Sequence, residues 1–80
     1  MIDQYVAAQI VDASGLNCPM PVLLSKKAIA FMQVGDLMHI ISTDPASEID
    51  ITAFACKFGH LLLNKQRDND GTWHFIVQKV

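Results

Sequence analysis

Eighty residues with 51% hydrophobic and 18% charged side chains describe a single globular domain, 1–80, too short for a separate regulatory module and too apolar for disorder. A net charge of -2 with only six Lys and Arg supplies no broad basic surface, so direct nucleic-acid binding is not expected. Two cysteines, Cys18 and Cys56, are too few for a disulfide framework and point to a reducing compartment in which both remain thiols.

The opening MIDQYVAAQIVD carries an acidic Asp3, no basic leader and no run near the roughly 18 apolar residues of a spanning helix, so a cytoplasmic protein without membrane association is expected. Residues 6–12 alternate loosely before the turn residues ASG, which reads as a first strand. Residues 19–34 follow as a helix with Leu24, Ala28 and Phe31 toward the core, Ser25, Lys26 and Gln33 on the other side, and Gly35 as the stop. The apolar run LMHIIS, 37–42, reads as a largely buried strand. A second helix starts beyond Asp44 and Pro45, with Ser47 and Asp50 at capping-box spacing and Ile51, Phe54, Ala55 and Phe58 on one face before Gly59.

Two further strands, 61–66 and 72–79, are joined through RDNDG, whose Asp70-Gly71 pair favours a tight hairpin. In the last strand Trp73, Phe75 and Val77 alternate with His74, Ile76 and Gln78, giving one aromatic face and one mostly polar face. The order β-α-β-α-β-β with two one-sided helices predicts an α/β (α+β) two-layer sandwich: a four-stranded mixed sheet with both helices on one face.

The chemistry concentrates in GLNCPMP, 15–21. Helix N-termini leave N–H groups without partners, so Pro19 and Pro21 fit the first turn at no cost in hydrogen bonds. Cys18 then sits at the helix cap, where the macrodipole and the free N–H groups of Met20 and Val22 are expected to favour thiolate and lower its pKa below that of a free thiol. The same residues also fit an inert cysteine acting as a small hydrophobe, and the spacing alone leaves both readings open. No His, Asp or Glu within a few residues of Cys18 offers a base, and no second cysteine makes a C-x-x-C pair. A self-sufficient hydrolase or a dithiol oxidoreductase is therefore disfavoured.

The stretch GLNCPMPVLLSKKAI resembles the signature of the TusA-like (SirA-like) sulfur-carrier family, in which a G-L-x-C-P-x-P element opens the first helix. VGD before the second strand, STDPAS after it, DITAF in the second helix and GH beyond it extend the likeness along most of the chain. The resemblance implies a sulfurtransferase in which Cys18 accepts a sulfane sulfur as a persulfide, with Gly15, Leu16, Pro19 and Pro21 shaping its surroundings. It also implies two protein partners: a cysteine desulfurase or other persulfide donor, and a downstream acceptor, as in wobble-uridine thiolation of transfer RNA or related sulfur trafficking. The chain departs from the pattern at Thr52, where many relatives have proline, and at Ala55, where many have cysteine.

Around Cys18, Met20, Val22, Lys26 and Ile29 are the candidate docking residues, Val22 and Ile29 being apolar positions away from the expected core stripe. Cys56 also falls off its helix's stripe, is expected to be partly exposed, and has no evident means of activation. His39, His60 and His74 lie on three different elements without ligand spacing, so neither a metal nor any other cofactor is expected. The alternative to a sulfur carrier is a non-catalytic interaction or regulatory module that keeps Cys18 as a helix cap. A thiol redox sensor is disfavoured by the lack of a resolving cysteine near Cys18 in sequence.

Overall fold

The computed structural model describes residues 4–80, so Asp3 of the leader reading lies outside them. The elements are β1 (Gln9–Ala13), α1 (Met20–Ile29), β2 (Leu37–Ser42), α2 (Ser47–Lys57), β3 (Leu61–Arg67) and β4 (Trp73–Gln78), in the expected order. The strands form one mixed sheet in the order β1-β2-β4-β3, with β1 parallel to β2 and β4 antiparallel to both of its neighbours. Both helices pack on the sheet and on each other. Among the described residues no helix is long and apolar enough to cross a membrane.

The core is centred on the two inner strands. Met38 and Ile40 of β2 face Val77 and Phe75 of β4 in register, and all four are fully buried. Ile51, Phe54 and Ala55 of α2 and Ile29 and Met32 from the end of α1 close over them. Trp73 stacks on Phe75 at 5.8 Å and is half-buried, which extends the aromatic side of β4 as expected.

Several expectations are corrected. Strand β1 begins at Gln9 rather than at residue 6, because Val6 projects into solvent and the first tie to β2 is the Ala8 N–H to the Leu37 carbonyl at 2.8 Å. Helix α1 ends at Ile29 rather than at residue 34. Beyond it Phe31 and Met32 bond three residues back, and the Lys79 ammonium captures the carbonyls of Ile29 and Met32 at 3.0 and 2.6 Å. A cation from the far end of the chain thus meets the exposed carbonyl end of the helix, where positive charge is favourable.

The buried stripe of α1 is Pro21, Ser25 and Ile29, one position on from the expected Leu24, Ala28 and Phe31. Ser25 is tolerated inside because its hydroxyl donates to the Pro21 carbonyl of its own helix at 2.7 Å. Leu24 and Ala28 are half-buried, and Phe31, 78% exposed, borders a groove between α1 and the edge strand β1. On α2 the capping box does not form: the N-cap is Ala46, and the Ser47 hydroxyl donates to the Asp44 carbonyl. Phe58, expected in the core, is 49% exposed.

The sheet face opposite Phe75 and Val77 is less polar than the alternation implied, since Ile76 is only 1% exposed there between His39 and Asn64 in register. That face also joins two histidines. His74 Nε2 lies 2.8 Å from the Asp68 carboxylate and its Nδ1 lies 3.0 Å from His39 Nε2. With Asp68 accepting from Nε2–H, the second hydrogen bond runs between His74 Nδ1 and His39 Nε2.

Burial, and secondarily the charge of His74, hold the His39 imidazolium below the usual histidine range. The unfolded chain takes up that proton near pH 6.5, so below this pH the unfolded state holds more protons than the native state. Native stability contributed by neutral His39 is therefore present above about pH 6.5 and lost as pH falls toward the folded value. Urea midpoints measured between about pH 7.5 and 5.5 should fall more steeply for the native sequence than for His39→Gln, which removes this group and leaves the Asp68–His74 pair.

Candidate functional site

Cys18 lies in the loop from β1 to α1, and that loop is stitched to the next one along the same sheet end. Gly15, at φ +79°, turns the chain where side-chain-bearing residues are strained, and its N–H donates to Thr43 Oγ1 at 2.8 Å. The Cys18 N–H donates to Asp44 Oδ2 at 2.8 Å, while Asp44 Oδ1 accepts from Ala46 N–H at 3.1 Å. Asp44 is buried, and one carboxylate thereby ties the cysteine backbone to the start of α2. On the helix side the Met20 N–H donates to the Asn17 carbonyl and Leu23 N–H to the Pro19 carbonyl, with Pro19 as N-cap and Pro21 in the first turn.

The thiol opens into a cavity of about 280 Å³ between the two helices. Val22 and Lys26 of α1 form one wall, and Asp50, Ala53, Phe54, Lys57 and Phe58 of α2 form the other. The exposure of Phe58 follows from this position: its ring flanks Phe54 at 5.7 Å, and the ammonium groups of Lys26 and Lys57 lie 5.1 and 5.7 Å from its centre. The site is thus apolar at its base and cationic at its rim.

The electrostatics at the sulfur are opposite to expectation. Cys18 stands one residue ahead of the N-cap, the Met20 amide is already engaged by Asn17, and both prolines lack an N–H. Asp50 instead lines the same cavity as the thiol. Its carboxylate as a hydrogen-bonding neighbour, partial loss of solvation, and the negative charges of Asp50 and Asp44, in this order, raise the Cys18 pKa above its ordinary value. A carboxylate beside a thiol disfavours a second negative charge.

Of the other expected site residues, Met20 and Leu16 are partly exposed beside the loop, Val22 is half-buried in the cavity wall, and Lys26 is exposed at its rim. Ile29 is 8% exposed and belongs to the core, so it is withdrawn as a docking residue. Cys56 is exposed but opens onto a different cavity, with Ile49, Thr52 and Lys65. His60 accepts the Val80 N–H and stands apart from the His39–His74 pair. Asp44, Asp50 and Phe58 were missed as site residues, although Asp50, Phe54 and Lys57 share one helical face, a spacing that marks a common surface without showing what it meets.

Residues 9–79 match the family model described as Sulfurtransferase TusA. The chain belongs to the TusA family. It is 44% identical over 71 residues to the sulfur carrier protein TusA of Allochromatium vinosum, covering 89% of this chain and 92% of that one. A putative sulfur carrier protein of Neisseria meningitidis is 39% identical over 71 residues, covering 89% of this chain and 95% of the relative. The crystal structure of a SirA-like protein from Desulfitobacterium hafniense superposes with a TM-score of 0.78 at 22% identity, covering 88% of this chain and 95% of that chain, and shares the TusA-like fold.

The rate of Cys18 alkylation by iodoacetamide, followed in a Cys56→Ser background by intact mass, should reach half its maximum above the ~8.5 of a free cysteine. A midpoint below that value would mean that the helix dipole, and not the carboxylates, governs this sulfur.

Proposed function

We propose that this TusA-family protein is a sulfur carrier: Cys18 accepts a sulfane sulfur as a persulfide and passes it to an acceptor protein. The observation that carries the reading is the placement of the motif cysteine, exposed and held by its backbone at the mouth of an interhelical cavity. Family membership over residues 9–79 supports it further.

The chemistry needs no cofactor. Cys18 sulfur attacks the outer sulfur of a donor persulfide, a new S–S bond forms at Cys18, the donor S–S bond breaks, and the electron pair leaves on the donor cysteine. Delivery repeats the exchange with an acceptor thiolate attacking the outer sulfur on Cys18. Both steps are isoelectronic overall, so neither an oxidant nor a reductant is consumed. The protein acts as a sulfurtransferase only in company with its partners, a cysteine desulfurase or other persulfide donor and a downstream acceptor such as one feeding transfer-RNA thiolation. Two free thiols suit a reducing cytoplasm, where this reading places it.

Incubation with a cysteine desulfurase and cysteine, read by intact mass, tests the assignment. Cys18→Ser should abolish the gain of one sulfur and Cys56→Ser should retain it; persulfide on Cys56 alone would overturn the reading, and no persulfide on either would favour a non-catalytic module.

Met20, Val22 and Lys26 surround Cys18 on the accessible side and are the proposed docking contacts. Lys26→Glu or Val22→Asp should slow loading from the desulfurase several-fold while leaving loading from inorganic polysulfide unchanged, because a small donor needs no protein interface. Equal slowing with both donors would show damage at Cys18 and end the docking assignment.

A further inference from the structure

We propose that Asp50 is a catalytic residue of sulfur exchange, the group that takes the Cys18 proton as the sulfur attacks and returns it to the departing thiolate. This rests on the reading of Cys18 as the persulfide carrier and adds the proton path that the reading lacks. Asp50 stands in the first turn of α2 and lines the same cavity as Cys18, and its carboxylate is the foremost influence that disfavours the thiolate there. The two ion pairs of the described residues, Lys65 with Glu48 and His74 with Asp68, leave it out.

The other groups facing the sulfur are unsuited to the task. Asp44, from the loop before α2, has one oxygen on the Cys18 N–H and the other on the Ala46 N–H. Lys26 of α1 and Lys57 of α2 line the cavity as hydrogen-bond donors and offer no acceptor. No histidine lines the cavity. Asp50 is therefore the base that the local sequence around Cys18 does not supply.

The step balances without a co-reactant. As Cys18 Sγ bonds to the outer sulfur of the donor persulfide, its proton passes to Asp50, the donor S–S bond breaks, and the electron pair goes to the donor cysteine. A carboxylic acid is in general a stronger acid than a thiol, so return of the proton to the donor thiolate is downhill. On discharge the same carboxyl cycle serves the Cys18 thiolate that leaves. Between encounters the carboxylate keeps the thiol protonated, and stray electrophiles meet the less nucleophilic form.

The test compares Asp50→Asn with the native residue, both in a Cys56→Ser background, in three measurements: iodoacetamide alkylation at neutral pH, single-turnover loading from a cysteine desulfurase, and loading from inorganic polysulfide. Removing the charge should speed alkylation several-fold, because more thiolate is present. Removing the base should slow loading from both donors by about 10- to 100-fold, and loading should then climb with pH as thiolate replaces the assisted route. Asp50→Glu, which keeps a carboxylate, should recover much of the loading rate and the shallow pH profile.

Opposite signs for alkylation and loading are the signature of a proton carrier. Faster loading in Asp50→Asn, or loading at the native rate, would overturn the proposal and leave Asp50 a purely electrostatic neighbour. Slowing with the desulfurase alone would make it a docking contact, and slowing of all three reactions without recovery in Asp50→Glu would make it structural; either result overturns the proposal. If the protein with native Asp50 gains no sulfur on Cys18 from either donor, the carrier reading itself fails, an outcome separate from any behaviour of Asp50→Asn.

Discussion

The position of the sulfur depends on one buried carboxylate. Asp44 has lost most of its contact with water, and a charge in that situation persists only if its oxygens find donors. One oxygen takes the Cys18 N–H and the other the Ala46 N–H, so the same side chain fixes the cysteine loop and the first turn of α2. Its own N–H reaches the hydroxyl of buried Ser42, which anchors the arrangement to the end of β2. Gly15 adds a second tie to Thr43. Two connections that are distant in the chain become one rigid platform, and the gap between α1 and α2 becomes a cavity with a thiol at its mouth.

That constraint explains why the charge at the site differs from what a helix N-terminus would supply. The dipole of α1 is present, but the Met20 amide is occupied, Pro19 and Pro21 have no N–H, and Cys18 lies outside the helix proper. The platform brings α2 close enough for Asp50 and the thiol to line one cavity. A full negative charge facing the same cavity disfavours a second one on the sulfur, and the partial charge of a helix end fades within a turn. Lys26 and Lys57 at the rim hold their ammonium groups over Phe58. The site therefore combines an exposed thiol of raised pKa with a cationic, partly apolar rim.

Packing accounts for the shifted helix faces in the same physical terms. Periodicity locates an apolar side of α1 only to within about one residue, because Leu24, Ile29 and Ala28 all qualify. The choice fell to the packing: β1 is an edge strand, so the side of α1 toward it borders an open groove, and the side toward β2 and α2 is buried. Ser25 could enter that buried stripe because its hydroxyl bonds within the helix, a possibility that a hydrophobicity pattern scores as polar and turns outward. Ile29 followed it into the core, which removed it from the docking surface.

Local rules sufficed for element order, the layered architecture, the inward Phe75 and Val77 of β4, and an exposed cysteine ahead of Pro19 and Pro21. Each of these follows from alternation, helical spacing or the missing N–H of proline within a few neighbouring residues. The motif resemblance extended that reading to sulfur chemistry at Cys18. Tertiary structure alone decided which charges surround the sulfur, where α1 ends, and which residues wall the cavity. Asp44 meets Cys18 across 26 residues of chain, and Lys79 caps α1 across 50, so no local pattern encodes either contact. The field at Cys18 falls off with distance in space, and distance in space is set by the packing of α1 and α2 on the sheet.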